Sequence, residues 1–313
     1  MLITTDWLAA FLFSILRFST PLIFAALAAA VCRKTGLLNM AIESMMLCAA
    51  LTGVLVSGFT QSAFLGLLSA IIVGSLVGFI ISYASFVGNA DLFLTNIALN
   101  LAAAGGTVFV LYLFTGSKGN SAAAIPSLSV PSIDIPLIKD IPFLGQVISG
   151  HNILTYLAFF TVFLVWLLIY KTRLGLRMRS VSENPDAASS VGISVKRIRF
   201  AAFMISGAIA GVGGAFMSMG FVQLFSRGMV AGRGFIGLAA ANMANGSPVG
   251  SMLSSLLFGT SNAVATTVQT VFTEAPTDFV LMIPYAVTII AIVLISIINE
   301  RRSNKKRKKA GNR

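Results

Sequence analysis

The chain has 313 residues, 57% hydrophobic and 10% charged, with 22 Lys and Arg against 10 Asp and Glu for a formal net charge of +12. Its apolar runs of about 20 residues, the length that crosses a bilayer, are too many for a soluble fold to bury. A single His and dispersed acids argue against a hydrolase or metalloprotease built on clustered nucleophiles or ligands, and no GxxxxGK[ST] phosphate loop marks a nucleotide motor in this chain.

The opening MLITTDWLAAFLF lacks the basic region and small-residue cleavage site of a signal peptide and is expected to stay in the mature protein. Apolar segments follow at about 7–31, 38–57, 63–87, 92–115, 153–170, 200–222, 234–246, 249–270 and 279–298. Arg17 ahead of Pro21 interrupts the first, so residues 1–16 are expected at the interface and 18–32 across the bilayer. Segment 234–246 spans only about 20 Å as a helix and reads as broken or re-entrant. Cys32 and Cys48 have no metal spacing and read as packed thiols.

The loop 116–152 carries Pro126, Pro131, Pro136 and Pro142, which block helix, while the Ile, Leu and Val between them favour packing across the bundle mouth over disorder. Seventeen of the 22 basic residues fall in three places: Arg33–Lys34, the loop 171–199 and the tail 301–313. Placed on the inner side, all three fit one odd-numbered topology with the N-terminus and loop 116–152 outside and the C-terminus inside. The expectation is therefore an all-α polytopic membrane protein of about 8–10 helices: one transmembrane domain over 1–300, with a basic cytoplasmic tail at 301–313. The pairs Gly74/Gly78 and Gly207/Gly211 are spaced for close helix contact in lipid.

The loop 171–199 contains a short helix written in punctuation: Asn184 as N-cap, Pro185 at the first position, Asp186 at the positive end and Gly192 as a left-handed stop. Ala187, Ala188, Ser189 and Ser190 are expected to be exposed and small enough for a groove on another protein. The residues alone fit either a cytoplasmic docking helix or an ordinary capped loop.

Glu43 is the one acid at real membrane depth, about 10 Å in by helical rise and nearer the inner face than the midplane. It fits a structural role, capping or pairing with Arg33 or Lys34, better than a gating or substrate role. The other membrane polars are neutral amides, Asn39, Asn96, Asn100, Asn242, Asn245, Asn262 and Gln269. Each could be interhelical glue; together they favour an uncharged hydrogen-bonding cargo over an ion. Asn39, Glu43, Asn96, Asn100 and Asn242 are the candidate pathway residues. His151 has a loop context and no evident partner.

The run from Thr172 to Phe216, with ENPDAASSVGIS at its centre, resembles the coupling loop and following helix of ATP-binding-cassette importer permeases for ribose, branched-chain amino acids and nucleosides. Similar stretches occur at Thr20–Leu47, Ile141–Gln146, Gly232–Gly259 and Ile283–Ile289, and the outer IPFLG element and the PYAVT element lean toward the nucleoside branch. The resemblance implies a non-enzymatic transport subunit of a bacterial cytoplasmic membrane. Its partners would be a cytoplasmic ATP-binding subunit, a sister permease, an external substrate-binding lipoprotein and the lipid bilayer, with no nucleic acid. It implies no cofactor in this chain, ATP and Mg being held by the ATPase, and it carries coupling onto Glu183, Asn184, Pro185, Ala187, Ala188, Gly192 and Ile193. Ser182, Ser44 and the NMANGSP run (Asn242–Pro248) depart from the family pattern, the last at the short segment. A sugar or branched-chain amino acid cargo, or a stand-alone facilitator, is the competing reading.

Overall fold

The computed structural model describes residues 5–271 apart from 123, 126, 137–140 and 142, together with 282, 286, 287, 290 and 293. The tail 301–313, most of segment 279–298, and Pro126 and Pro142 lie outside the described residues. The helices are α1 (Thr5–Arg33), α2 (Ile42–Thr60), α3 (Ala63–Ser82), α4 (Leu92–Thr115), α5 (Leu144–Ile148), α6 (Ile153–Lys171), α7 (Arg173–Glu183), α8 (Pro185–Ser190), α9 (Val195–Ala215), α10 (Arg233–Met243) and α11 (Pro248–Val271). Short π-helical turns extend α3 over Tyr83–Val87 and α9 over Phe216–Phe221. Among the described residues, six helices are long and apolar enough to cross a membrane, and the chain is a multi-pass, all-α membrane protein.

α1 runs through the centre of the bundle, buried without a break from Ser19 to Cys32 and packed against α6, α9, α10 and α11. It is one continuous helix of 29 residues, unbroken at Arg17. Pro21 removes the backbone donor that would meet the Arg17 carbonyl, and in the same stretch the Ser19 and Thr20 hydroxyls bond the carbonyls of Ile15 and Leu16. Arg17 donates to the Phe221 carbonyl at 2.8 Å and lies over the Phe221 ring, so its charge is accommodated at the Phe221 end of the α9 extension without breaking α1.

The paired glycines meet as their spacing predicts. A Cβ on Gly74 or Gly207 would overlap the other's carbonyl oxygen, and a Cβ on Gly78 would meet the Phe203 carbonyl. α3 and α9 thus lie backbone to backbone, the arrangement that supplies packing in lipid where apolar burial gives little drive.

Residues 222–232 form no regular helix. They start level with Arg17, where the Val222 N–H bonds the Met217 carbonyl, pass the loop 116–152 through the Phe225–Ser121 and Arg227–Gly119 hydrogen bonds, and then feed α10. α10 descends along α1, with Gly237 against Ala25 and Asn242 at Arg33. The short segment is thus an 11-residue helix entered through irregular backbone. Loop 116–152 packs over the Phe221 end of the α9 extension: Ile125 and Val130 are buried, Val130 N–H bonds the Met219 carbonyl, and strands β1 (Ser132–Ile133) and β2 (His151–Asn152) pair antiparallel.

Gly207→Val should force α3 from α9 and destabilise the protein by about 1–3 kcal/mol, read as a lower thermal midpoint in detergent. Gly105→Ala, on α4 where a Cβ meets nothing within 4 Å, should leave the midpoint unchanged.

Candidate translocation site and coupling loop

Two helices begin inside the bundle, and neither caps itself. Residues 37–41 are non-helical, so α2 starts at Ile42 rather than near residue 38, and its N-cap Ala41 supplies no side-chain bond. α10 starts after Gly232, which has no side chain to offer. Helix N-termini leave N–H groups without intrahelical partners, and in a bilayer core each unmet group costs several kcal/mol.

Neighbouring helices supply the missing acceptors. Asn100 of α4 accepts from Ser44 N–H at 3.1 Å and donates to the Met40 carbonyl at 2.9 Å, while Asn39 accepts from Ala41 N–H at 3.0 Å. Glu43, in the first turn of α2, accepts from Gly232 N–H and Gly234 N–H, both at 2.8 Å. A Cβ on Gly234 would lie 2.6 Å from the Glu43 backbone nitrogen, so only glycine lets the two termini approach this closely. The result is a relay in which α4 caps α2 and α2 caps α10.

Its depth follows from helical rise. Gly234 is about 12 Å along α10 from Asn242, which is level with Arg33, and Arg17 is about 24 Å along α1 from Arg33. Glu43 thus stands roughly halfway between them, slightly deeper than its sequence position suggested because extended backbone rather than helix carries the chain inward from Gly36. Its partners are not Arg33 or Lys34, which bind Asn242 and Asn245 instead. Arg233 stands within electrostatic reach of the Glu43 carboxylate and donates to the Met229 and Val230 carbonyls. Glu43 and Arg233 are only half-buried, and Ala231 and Phe235 beside them are exposed.

The structure brings Asn39, Glu43 and Asn100 together, while Asn96 and Asn242 lie elsewhere. Asn39 is fully buried and donates to Ser206 Oγ at 2.9 Å, which in turn donates to the Ala28 carbonyl. Asn96 is buried one turn from Asn100 with no partner for its Oδ1. Asn242 accepts from Arg33 at the far end of α10. Arg233 and the 222–232 segment carry no pattern singled out in the sequence; the glycines at 228, 232 and 234 among Arg227 and Arg233 were the available signal.

A polar cavity of about 230 Å³ lies at the Arg17 end of the bundle, lined by Arg17, His151, Asn152, Gln223, Phe13 and Phe216 among others. His151 is buried, not an unpartnered loop residue: its Nε2 is 2.9 Å from the Val147 carbonyl and its ring stacks on Phe13 at 3.9 Å. Burial, with Arg17 adding to it, pushes its pKa below the usual histidine value. The described residues hold no group of three or more metal-ligating side chains.

In the loop 171–199 the punctuation is realised. Asn184 accepts from Asp186 and Ala187 N–H at 3.1 and 3.0 Å, Pro185 opens α8, and Gly192 takes φ +83° so that Ile193 N–H reaches the Ala188 carbonyl at 3.0 Å. Ala187, Ser189 and Ser190 are exposed with Glu183 and Asp186, as is Val191 at 74%. Ala188 departs from expectation: it is buried at 4%, because one turn after Asn184 it points back into the chain's own core.

A family model described as branched-chain amino acid transport system / permease component matches residues 11–292. The chain belongs to this family. It is 35% identical over 290 residues to the nucleoside ABC transporter permease protein NupC of Lactococcus lactis, covering 90% of each chain. It is 32% identical over 286 residues to the guanosine ABC transporter permease protein NupQ of Bacillus subtilis, covering 88% of this chain and 89% of that one. NupP, a second guanosine ABC transporter permease protein of Bacillus subtilis, is 28% identical over 253 residues, covering 78% and 70%. The chain is thus a permease subunit of the ABC transporter class, and its chemistry is transport rather than catalysis.

Glu43→Ala removes a charged acceptor from two N–H groups and should destabilise by about 3 kcal/mol, with Glu43→Gln, which keeps one acceptor, costing clearly less. Thermal midpoints of the purified variants check this; equal midpoints for wild type and Glu43→Ala would remove the cap from the account.

Proposed function

We propose that this permease imports nucleosides, purine nucleosides foremost, across a bacterial cytoplasmic membrane. The reading is carried by similarity along nine-tenths of the chain to NupC, named for nucleosides, and is supported by NupQ, named for guanosine. A nucleoside brings a ring that can stack and hydroxyls that hydrogen-bond, with no phosphate charge to desolvate.

The pathway runs past the α2–α10 junction. A half-buried carboxylate and guanidinium at mid-depth are too costly to face hydrocarbon, so the face bearing Glu43, Arg233, Ala231 and Phe235 borders water or the sister permease. That the chain matches two guanosine permease proteins from one organism supports a sister of different sequence. The single transmembrane domain has its N-terminus and loop 116–152 outside, receiving solute from an external binding lipoprotein, and its tail inside. α8 docks on a cytoplasmic ATPase that holds ATP and Mg, and ATP-driven closure of that partner shifts the population between outward and inward access.

The deciding measurement is ATP-dependent uptake of labelled guanosine or adenosine by the reconstituted complex. Unlabelled nucleosides should compete and nucleoside monophosphates, leucine and ribose should not; strong competition by leucine or ribose without nucleosides would overturn the cargo while leaving the permease class intact.

Docking is tested at the exposed face of α8. Ala187→Trp should overpack it by roughly 1–3 kcal/mol, leaving the chain inserted while lowering recovery of the ATPase partner and uptake. Normal uptake at normal expression would tell against docking through this face.

A further inference from the structure

We propose that Asn242 and Asn245 are positioning residues for transport. With Arg33 and Lys34 they form the joint through which movement of the cytoplasmic loop reaches the mid-membrane junction. The proposal rests on the importer reading above and assigns a role to the NMANGSP run, which departs from the family pattern.

The turn is built to present its amides. Asn245 and Gly246 both take left-handed backbone, φ +50° and +67°, a conformation asparagine and glycine tolerate best. The Gly246 N–H closes on the Ala241 carbonyl at 2.8 Å, ending α10 sharply. Asn242 and Asn245 then face the end of α1. One guanidinium holds both: Arg33 Nη1 donates to Asn242 Oδ1 and Nη2 to Asn245 Oδ1 at 3.3 Å, while Lys34 Nζ donates to the Asn245 carbonyl at 2.9 Å. A planar fork is suited to grip two amides at once, which a lysine cannot do.

The same α1–α2 turn touches the coupling loop. Gly36 lies against α7, where a Cβ would be in van der Waals contact with Ser182 Cα at 3.5 Å, two residues before the Asn184 cap of α8. Between them is a polar cavity of about 450 Å³ lined by Arg33, Lys34, Arg179, Ser182, Glu183 and Asn245, which gives the two parts room to shift without overpacking. α10, an 11-residue rod about 16 Å long, is held at its cytoplasmic end by this joint and at the other by Glu43. Displacement of α7–α8 is therefore delivered to Gly232 and Arg233 at the junction as a rigid-body shear of α10.

The test is the ratio of solute transported to ATP hydrolysed in the reconstituted complex, measured together for wild type, N242A/N245A and R33K. In N242A/N245A hydrolysis should persist while transport per ATP falls roughly tenfold, as expected from losing the two hydrogen bonds to Arg33. R33K, which keeps the charge but not the fork, should lose less. A merely structural role would lower both rates together at an unchanged ratio, and that result overturns the proposal. If N242A/N245A does not accumulate, R33K decides alone: a lowered ratio supports the joint and a wild-type ratio refutes it. Absence of ATP-dependent uptake in the wild-type complex would instead refute the importer reading itself.

Discussion

A helix that begins inside a membrane protein's bundle exposes N–H groups with no water to satisfy them, and among the described residues two such beginnings, those of α2 and α10, lie side by side. Neither Ala41 nor Gly232 can cap the helix that follows it. The solution is cross-helix: Asn100 from α4 secures α2, and Glu43 from α2 secures α10. An anion near a helix N-terminus also meets the positive end of the macrodipole, so the charge on Glu43 works in the same direction as its hydrogen bonds. Once these caps are required, Gly234 must be glycine, residues 37–41 stay out of the helix, and the approach to α10 is irregular.

The rest of the bundle divides around that junction. α3 and α9 are locked by mutual glycine contacts that leave no space for a side chain, and α1 is buried on every side through its central turns. α10 is short, packs along α1 and α11, and makes its side-chain hydrogen bonds to other helices at its two ends. In membrane proteins, irregular backbone at depth persists where it is shielded by protein or borders a water-filled cavity, and transporters place solute sites at such breaks. The half-buried Glu43 and Arg233 mark the side of the junction that is not sealed by the chain's own core.

What was legible in the sequence was local. The Asn184 cap, Pro185 and the Gly192 stop each act within a few residues of themselves, and all three appear in place. The glycine pairs were readable because backbone approach in lipid demands small residues at a four-residue interval. The partners of Glu43 were not readable: the N–H groups it caps lie about 190 residues away, and no side-chain pattern distinguishes a backbone donor. For the same reason the partners of the neutral amides were not readable: Asn39 and Asn100 bond backbone groups at the start of α2, and Asn242 accepts from Arg33. Ala188 was misread as exposed because a six-residue helix is too short for periodicity to reveal which face turns inward.

The central claim is that the face of α10 beside Glu43 borders an aqueous path rather than lipid. It is tested most directly by single cysteines at Ala231 and Phe235, in a background lacking Cys32 and Cys48, challenged with a membrane-impermeant thiol reagent in the reconstituted complex. Phe163 on the apolar outer face of α6 serves as the comparison site. The account predicts that Ala231→Cys and Phe235→Cys react, at rates that change when ATP is added, while Phe163→Cys stays unreactive. Equal lack of reaction at all three positions would contradict it.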